Sequence, residues 1–343
     1  MHDLRLALPH ERWSAFAEAM PRANAFHHPA WSQLLSECYG YRPFALVLTD
    51  DTGETIAGMP VLEVTGLLNS QRWISLPFTD RCLPLVKNDE DLSALTDALI
   101  QQLGSNRVTA IEVRAALPEQ QQVYFRSDAV MHTLALSPDV DAVFRKFKKT
   151  RVQQCILKAE RDGVTVRRGE SVADLGTFYK LHLQTRRRVG TPAQPRRYFD
   201  LLWKRLIEPG LGFLLLAYKD NTPLGAAVFL AWNGTVIYKH SASDPAYWRL
   251  HPNNSILWTA IRWGCENGYH TFDFGRTDLA DEGLRAFKNG WGTQEESLVY
   301  SVIADRPPRL SSGRFKKMLS GIIKRSPPWI CRLIGELFYK YAA

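Results

Sequence analysis

The sequence is poor in the features that mark redox, metal and cofactor proteins. Its five cysteines are far apart, with no Cys-x-x-Cys pair and no His/Cys cluster at metal-ligand spacing. Neither a disulfide framework nor a zinc site is therefore predicted. The glycine patterns of dinucleotide-binding and P-loop proteins are also missing, as are the nucleophile-elbow and zinc-protease motifs. We expect no bound metal and no bound cofactor.

Long apolar runs are missing as well. None approaches the roughly 20 residues that a membrane-spanning helix needs. The first residues, MHDLRLALPHERW, lack the basic-then-apolar order of a secretory signal. We therefore expect a cytoplasmic protein.

An enzyme nucleophile is not evident either. The segment His240–Asp244, HSASD, holds the residue types of a hydrolase triad. Neighbours on a strand alternate faces, however, and cannot converge as a triad does. The cysteines have no evident histidine partner. A reaction that needs no enzyme nucleophile is favoured.

Positive charge is concentrated at the C-terminus of a chain that, at 343 residues, is long enough for two domains. Residues 1–136 contain 10 basic and 16 acidic side chains, residues 137–305 contain 24 and 18, and residues 306–343 contain 9 and 1. The last segment alone thus matches the net charge of the whole chain, +8. Such asymmetry suggests that different segments have different partners.

The order of predicted elements repeats along the chain. In the first half a helix, PAWSQLLSECYG, precedes the hairpin FALVLTDDTGETIAGMPVLEV, a strand, a helix and further strands. In the second half two helices precede the hairpin FLLLAYKDNTPLGAAVFLAW, with its turn at Asp220-Asn221, and then a strand, a helix and a strand. We predict an α/β fold with mixed sheets: two similar domains, residues 1–136 and 137–305, and a C-terminal amphipathic helical tail, residues 306–343.

One long basic helix is predicted at the start of the second domain. Ser137 is suited to the N-cap, Pro138 to the first helical position and Gly163 to the C-terminal stop. Its basic run, Arg145–Arg151, either binds phosphate groups or forms a solvated helix face.

Six segments, taken in order, carry a resemblance to a known family: FHHPAWSQLLSECYGYRP, WISLPFTDRCLPL, QCILKAERDGV, FYKLHLQTRRRVGTPAQPRRYF, PNNSILWTAIRWG and FDFGRTDLADEGLRAFKNGWG. They look like FemAB-type proteins, including the CelD-like subgroup, and are similar from about residue 24 to residue 303. The resemblance implies tandem acyl-CoA N-acyltransferase (GNAT)-like domains, related to the aminoacyltransferases that build peptidoglycan interpeptide bridges.

What the resemblance implies is an acyl- or aminoacyltransferase. An amine of a cell-envelope, peptidoglycan or exopolysaccharide precursor, including a lipid-linked one, would attack the carbonyl of an activated acyl group. The donor is aminoacyl-tRNA in the bridge-forming relatives and acetyl-CoA in ordinary acetyltransferases. Two alternatives stay open: an acyl-CoA-dependent N-acetyltransferase, and a non-catalytic module that binds tRNA or a lipid-linked precursor.

The loop that would hold coenzyme A differs from the usual pattern. In ordinary acetyltransferases the backbone N–H groups of a glycine-rich loop at a helix start hold the pyrophosphate. The corresponding segment here, DPAYWRLHPNNSIL, has no glycine. This difference favours aminoacyl-tRNA, or an unusual acyl donor, as the co-substrate.

Lys288 and Asp273 are the candidate catalytic residues. In the related enzymes the lysine of this motif is placed to stabilise charge on the reacting carbonyl, and aminolysis of an ester or thioester does build an oxyanion. Neighbouring aromatic residues would keep water away, while Gly290 and Gly292 would permit close backbone approach. The alternative is a lysine stem on apolar surface with its ammonium in water. Asp273 could orient or deprotonate the amine, or pair structurally with Arg276.

The candidate substrate-binding residues are mostly basic or aromatic. Arginines of this kind suit phosphates of tRNA, a nucleotide or a lipid-linked sugar. The candidates are Arg186, Arg187, Arg196, Arg197, Tyr238, Arg276 and Trp291.

The tail contains two short amphipathic helices separated by Pro327-Pro328. Phe315, Met318, Leu319, Ile322 and Ile323 fall on one face of the first helix, and Trp329, Ile330, Leu333, Ile334, Leu337 and Phe338 on one face of the second. The stripes either pack on the second domain or lie on an anionic membrane surface. The excess of positive charge favours the second alternative, with residues 309–343 holding the protein on the inner face of the membrane.

Overall fold

The structure is a computed structural model that describes residues 2–65, 70–105, 108–308 and 313–339. Its described residues form two compact units. Unit 1 comprises residues 2–130 and 297–308, and unit 2 comprises residues 131–296 and 313–339. The predicted domain bounds stay predictions. The first unit ends at Val130 rather than at residue 136. Residues 297–308 also belong to unit 1, and the tail helices belong to unit 2.

Unit 1 is a mixed sheet with helices. Its strands pair in the order β1-β2-β3-β4-β6, with β13 beside β6 and β5 on β3. The pairs are antiparallel except β4 with β6. Its elements are β1 His2–Ala7, α1 Glu11–Ala19, α2 Pro29–Tyr39, β2 Arg42–Thr49, β3 Thr55–Thr65, β4 Gln71–Ile74, β5 Leu85–Val86, α3 Asp89–Gln101 and β6 Val108–Val113, with the first residues of β7 Val123–Ala135 and the last of β13 Gln294–Ile303.

Unit 2 repeats this plan with longer helices. The strand order is β12-β11-β10-β9-β8, antiparallel except for the parallel pair β11 and β12. Besides the end of β7 and the start of β13, the elements are α4 Val140–Arg145, α5 Gln154–Arg161, β8 Thr165–Arg168, α6 Val172–Val189, α7 Arg196–Leu202, β9 Gly212–Lys219, β10 Thr222–Trp232, β11 Thr235–Ser243, α8 Pro252–Glu266, β12 Thr271–Asp278, α9 Glu282–Asn289, α10 Gly313–Arg325 and α11 Pro328–Phe338. The predicted order of helices, hairpin, strand, helix and strand is confirmed in both units.

The β9–β10 hairpin illustrates how local sequence determines the sheet. Asp220 and Asn221 both adopt left-handed backbone angles, with φ of 47° and 65°. Lys219 pairs with Thr222 directly across this two-residue loop. A type I′ turn of this kind matches the twist of the two strands, and asparagine and aspartate tolerate its left-handed angles. The predicted turn position is confirmed.

The main core of unit 2 lies on one face of its sheet. Alternate residues of β9 and β10, such as Phe213 and Phe229, face this core together with Leu257 and Ile261 of α8. Helix α6 packs against β9, β10 and β11. The register of β11 against β10 shifts at a bulge, because Phe229 pairs with Tyr238 while Val228 pairs with His240. The bulged Lys239 between them therefore turns Tyr238 and His240 to opposite faces.

The predicted long basic helix is wrong. Helix α4 begins after Asp139, whose side chain accepts a hydrogen bond from Ala142 N, so Asp139 rather than Ser137 is the N-cap. The helix ends at Arg145 and resumes as a π-helical turn, Lys149–Gln153, before α5. Between them Lys148 N donates to Gly290 O at 2.8 Å. A contact distant in sequence thus interrupts the helix.

The tail helices pack on α6 through part of their apolar stripes. Ile323 and Cys331 are buried with Ala193, and Leu319 and Ile334 pack beside them. Gly335 lies so close to Ala193 that an added Cβ would be 1.8 Å from its carbonyl oxygen. Part of the first predicted stripe, Phe315, and of the second, Leu337 and Phe338, lies outside the described side chains. No helix of the described chain is long and apolar enough to cross a membrane.

Candidate active site

The two parallel strands of unit 2 open a gap at their carboxyl ends. Strands β11 and β12 pair through Thr235, Val236 and Ile237 against Thr271, Phe272 and Asp273. Both strands continue past this short ladder, to Ser243 and Asp278, without further registered pairs between them. Asp273 is therefore the last residue of β12 that pairs with β11, and the candidate catalytic residues lie from that point onward.

Lys288 is buried beside the part of β12 that follows its ladder with β11. Only 4% of the residue is exposed, although lysine is almost never fully buried without partners. Its Nζ donates to Gly275 O at 2.8 Å and to Arg276 O at 3.1 Å. These carbonyls offset part of the free energy lost when the ammonium leaves water. The alternative of a lysine stem with its ammonium in water is therefore wrong, and the charge is held inside the protein.

A bend in β12 directs these carbonyls toward the lysine. Gly275 has φ of +73°, and its N–H donates to Asp273 Oδ1 at 2.7 Å. Asp273 is itself buried. The aspartate therefore stabilises the bend that supplies the Lys288 acceptors. Its role as a base stays a prediction, and Arg276 forms an ion pair with Asp278.

Aromatic side chains enclose this region. Trp291 is fully buried, with its ring centroid 5.0 Å from that of Phe147 and 5.9 Å from that of Phe274. The ring thus packs in the core, and contact between Trp291 and substrate stays a prediction. Tyr238 stacks on Phe229, and burial raises the pKa of its hydroxyl to about 12. Tyr238 is thus a neutral phenol at any physiological pH.

The glycines after α9 do permit close backbone approach. A Cβ at Gly292 would lie 2.8 Å from Lys146 O, and the residue has φ of +71°. This contact brings the basic segment after α4 against the end of the lysine motif. The predicted function of Gly292 as a close-approach position is confirmed.

Two residues that sequence reasoning missed connect to α9. His132 Nε2 lies 3.0 Å from Glu295 Oε2, and the same carboxylate accepts from Arg285 Nη2 at 2.7 Å and from Asn289 Nδ2 at 3.2 Å. Hydrogen bonds from Arg285 lower the pKa of Glu295 to about 2. The signal in the sequence was a lone histidine inside the apolar strand AVMHTLAL, which alone is most often a core residue.

A second polar cluster joins α6, α7 and β11. His182 Nε2 is 2.9 Å from Gln194 Oε1, which also accepts from Arg186 Nη2 at 3.3 Å. On β11, His240 Nε2 lies 3.0 Å from Tyr198 OH. Burial, with the nearby Arg186 guanidinium, lowers the pKa of His182 to about 3. Burial also lowers the pKa of His240 well below its usual value, so both imidazoles are neutral.

Two of the other predicted arginines, Arg187 and Arg196, have partners within unit 2. Arg187 Nε donates to Ser326 O at 2.6 Å and so holds the end of α10. Arg196 pairs with Asp200 at 2.8 Å and lies over the Tyr179 ring. Arg197 is exposed. The structure thus places Arg186 in the cluster with His182 and gives Arg187 a role in packing the tail.

The segment after β11 is compact rather than glycine-rich. Residues Pro245–Leu250 form a 3-10 helix, and α8 then begins with Pro252. Proline has no N–H to offer an anion. After Asn253, the N–H groups of Asn254 and Ser255 both donate to His251 O. Within the part of the chain that the structure describes, no group of three or more His, Cys, Asp or Glu side chains could hold a metal ion.

Comparison with known proteins identifies the class of unit 2. Residues 145–289 match the acetyltransferase (GNAT) domain family. A lipid II:glycine glycyltransferase of Staphylococcus haemolyticus (strain JCSC1435) is 27% identical over 120 residues, which is 30% of this chain and 29% of that protein. The chain thus spans less than a third of the length of this curated relative. The segment around α4–α9 is therefore similar to a GNAT domain.

Solved structures extend the likeness to both units. The crystal structure of FemX matches with a TM-score of 0.72 at 16% identity, over 88% of this chain and 97% of FemX. A tandem GNAT protein from the clavulanic acid biosynthesis pathway matches with a TM-score of 0.51 at 12% identity, over 90% of this chain and all of that one. The predicted tandem GNAT-like α/β fold and the resemblance to FemAB-type proteins are confirmed.

Proposed function

We propose that this protein is an aminoacyl- or acyltransferase that acts on an amine of a peptidoglycan or related envelope precursor. The observation that carries this proposal is the buried Lys288 ammonium, held by two backbone carbonyls where β11 and β12 separate. The GNAT match of residues 145–289 and the glycyltransferase relative support the reaction class.

The chemistry follows from the charge that develops during aminolysis. When an amine attacks an ester or thioester carbonyl, the carbonyl oxygen becomes an oxyanion. A fixed cation in a water-poor site stabilises that charge without reorganising at the moment of reaction. Lys288 is such a cation, and the rings of Phe287 and Trp291 beside it limit the entry of water. No covalent enzyme intermediate is needed, since the donor carbonyl is already activated.

Aminoacyl-tRNA is the proposed donor, with acyl-CoA as the alternative. The start of α8 supports this choice because its proline and its internally bonded N–H groups offer little to a pyrophosphate. The basic segment Arg145–Arg151, much of it exposed, supplies charge suited to the phosphates of tRNA. A second function class, a non-catalytic module that binds tRNA or the precursor, would use the same basic surface without transfer.

The acceptor is proposed to be lipid-linked, and the protein to lie on the inner face of the membrane. The support is the similarity to a lipid II:glycine glycyltransferase. The tail adds exposed apolar side chains on a strongly basic segment: Met318, Ile322, Trp329 and Leu333. Peripheral attachment would place the GNAT-type domain beside a membrane-bound substrate.

A transfer assay tests the proposal. Purified protein is incubated with a lipid-linked peptidoglycan precursor and, in separate reactions, with a mixture of radiolabelled aminoacyl-tRNAs or with acetyl-CoA. We expect label to move to the precursor from tRNA, with the new amide identified by mass. Transfer from acetyl-CoA alone would select the acyl-CoA alternative. Binding of tRNA or precursor without transfer from either donor would select the non-catalytic module.

A further inference from the structure

The protonation of the His132–Glu295 pair follows from its hydrogen bonds. Glu295 is ionised, because hydrogen bonds from Arg285 lower its pKa to about 2, and a carboxylate can only accept. The His132 nitrogen that faces it, Nε2, must therefore carry the hydrogen. Burial lowers the pKa of His132 and the Lys288 ammonium lowers it further; Glu295 acts in the opposite direction, and the net pKa is below the usual value. The imidazole is thus neutral, and Nδ1 holds a lone pair.

Glu295 also binds α9 on both sides of Lys288. The Glu295 carboxylate binds Arg285, three residues before the lysine, and Asn289, one residue after it. These two contacts fix the turn of helix from which the Lys288 side chain extends. Removal of the Glu295 side chain would therefore release this turn of α9 without removing Lys288.

Three buried polar atoms without hydrogen-bond partners in the described chain belong to His132, Thr277 and Trp291. Among the described residues, no donor reaches His132 Nδ1, and neither Thr277 Oγ1 nor Trp291 Nε1 has a hydrogen-bond partner. His132 and Trp291 are fully buried, and Thr277 nearly so. Thr277 lies two residues after Gly275, and Trp291 three after Lys288. Purely structural packing would favour apolar side chains at such positions, because a buried polar group without a partner is destabilising. The unpartnered His132 Nδ1, on a ring that faces the Lys288 charge, therefore calls for an explanation beyond packing.

We propose that His132 and Glu295 are positioning residues for Lys288: Glu295 fixes the turn of α9 that bears the lysine, and neutral His132 supplies a lone pair at Nδ1 while keeping a second positive charge out of the site. This inference rests on the proposed role of Lys288. The charged groups that act on His132 are Lys288 and Arg285 on α9 and Glu295 on β13. Protonation of His132 would place a new cation beside Lys288.

Two substitutions of His132 separate the two ring nitrogens. In His132→Gln, the amide group can still donate to Glu295 in place of Nε2, but nothing replaces Nδ1. In His132→Asn, an amide oxygen can replace Nδ1, but the bond to Glu295 is lost. We expect His132→Gln to lower kcat by about tenfold to a hundredfold with little change in KM, and to unfold at nearly the wild-type temperature. Wild-type kcat should decline at acidic pH as His132 becomes protonated, and His132→Gln should lack this decline. His132→Asn should have a kcat between those of His132→Gln and the wild type. A His132→Gln enzyme with wild-type kcat and pH profile would overturn the proposal.

A measurement without turnover keeps the proposal separate from the proposed function. Nitrogen NMR of histidine-labelled protein, with the His132 signal assigned by its loss in His132→Gln, reports the tautomer and pKa of that ring. We expect hydrogen on Nε2, and a higher pKa in Lys288→Met because the neighbouring cation is gone. Hydrogen on Nδ1, or the same pKa in both proteins, would refute the proposal. A wild-type protein without transfer activity would refute the proposed function alone, and the NMR result would still decide the coupling.

Discussion

Lys288 combines a charged side chain, almost complete burial and two backbone acceptors. We expect Lys288→Met to lower kcat by about 10²–10³, the range for loss of one oxyanion-stabilising group. Methionine keeps most of the volume, so the packing around Trp291 should persist. The Gly275 and Arg276 carbonyls would lose this donor, which costs about 1–3 kcal/mol of stability. Steady-state kinetics with thermal unfolding of the same samples measures both effects.

A matched substitution controls for the loss of a lysine as such. Lys180, exposed on α6, tolerates methionine at little cost, so Lys180→Met should retain wild-type turnover. Equal turnover in the two variants would make Lys288 a structural residue and remove the main support for the proposed mechanism.

At the residue scale, sequence reasoning reached only part of the site. Lys288 and Asp273 were found through the family resemblance, and the close approach at Gly292 through its glycine-rich surroundings. His132 and Glu295 were not found, because they are 163 residues apart in the chain and only the fold brings them together. The substrate contact of Trp291 stays a prediction, since nothing local distinguishes a tryptophan in a core from one that lines a cleft.

At the element scale, the start of α6 offers a test of pH dependence. Asp174 accepts from the Ser171 N–H and hydroxyl in a capping box, and it pairs with Arg167. The bond from Arg167 lowers the pKa of Asp174 to about 2. A carboxylate with a depressed folded-state pKa stabilises the protein above its unfolded pKa near 3.9, and this contribution disappears as the pH falls toward 2. Asp174→Asn should therefore be less stable than wild type at pH 7, by a margin that shrinks below about pH 4.

Urea unfolding at pH 7, 4 and 3 measures that margin. Ser171→Ala is the matched control, because it removes about 1 kcal/mol of capping without removing a titratable group. Its deficit should vary much less with pH. A deficit for Asp174→Asn that is constant from pH 7 to pH 3 would contradict the assigned role of the Arg167 pair.

The start of α8 supports a prediction about the donor. With Pro252 lacking an N–H and Asn254 and Ser255 donating to His251 O, we expect acetyl-CoA to bind more weakly than about 100 μM and charged tRNA more tightly. Calorimetric titration of both ligands at a single stated salt concentration decides this, with uncharged tRNA showing how much affinity comes from the phosphates alone. A low-micromolar acetyl-CoA complex would instead favour the acyl-CoA alternative.

Elements defined by local signals were predicted well, and those defined by distant contacts were not. The β9–β10 hairpin follows from its Asp220-Asn221 turn and was placed correctly. The helix predicted from Ser137 to Gly163 is instead broken after Arg145, where Lys148 N bonds Gly290 O. A helical pattern in the sequence cannot reveal a partner more than a hundred residues away. The predicted repeat in the order of elements is confirmed, because it depends on many weak local signals that agree.

On the scale of the whole molecule, charge and exposed apolar surface coincide in the tail. Residues 306–343 contain 9 basic side chains and 1 acidic one. In α10 and α11 the inner part of the apolar stripe, such as Ile323 and Cys331, is buried in unit 2. The outer part is not: Met318 is 58% exposed, Ile322 47%, Trp329 63% and Leu333 45%. The tail therefore packs on its domain and still presents an apolar, basic surface, a combination that suits an anionic membrane.

The double substitution Trp329→Ser and Leu333→Ser tests this membrane hypothesis without disturbing the packed side of the tail. Removal of two large apolar side chains should weaken binding to anionic vesicles by tenfold or more, since burying each contributes about 1.5–3 kcal/mol. Leu157→Ser, at a 49% exposed leucine of α5, is the matched control and should bind like wild type. Vesicle sedimentation at low and high salt provides the measurement, and salt should weaken binding because each cation near the surface adds about 1 kcal/mol. Sedimentation that is the same for wild type and the double variant, or absent with anionic lipid at low salt, would limit the tail to its packing role on α6.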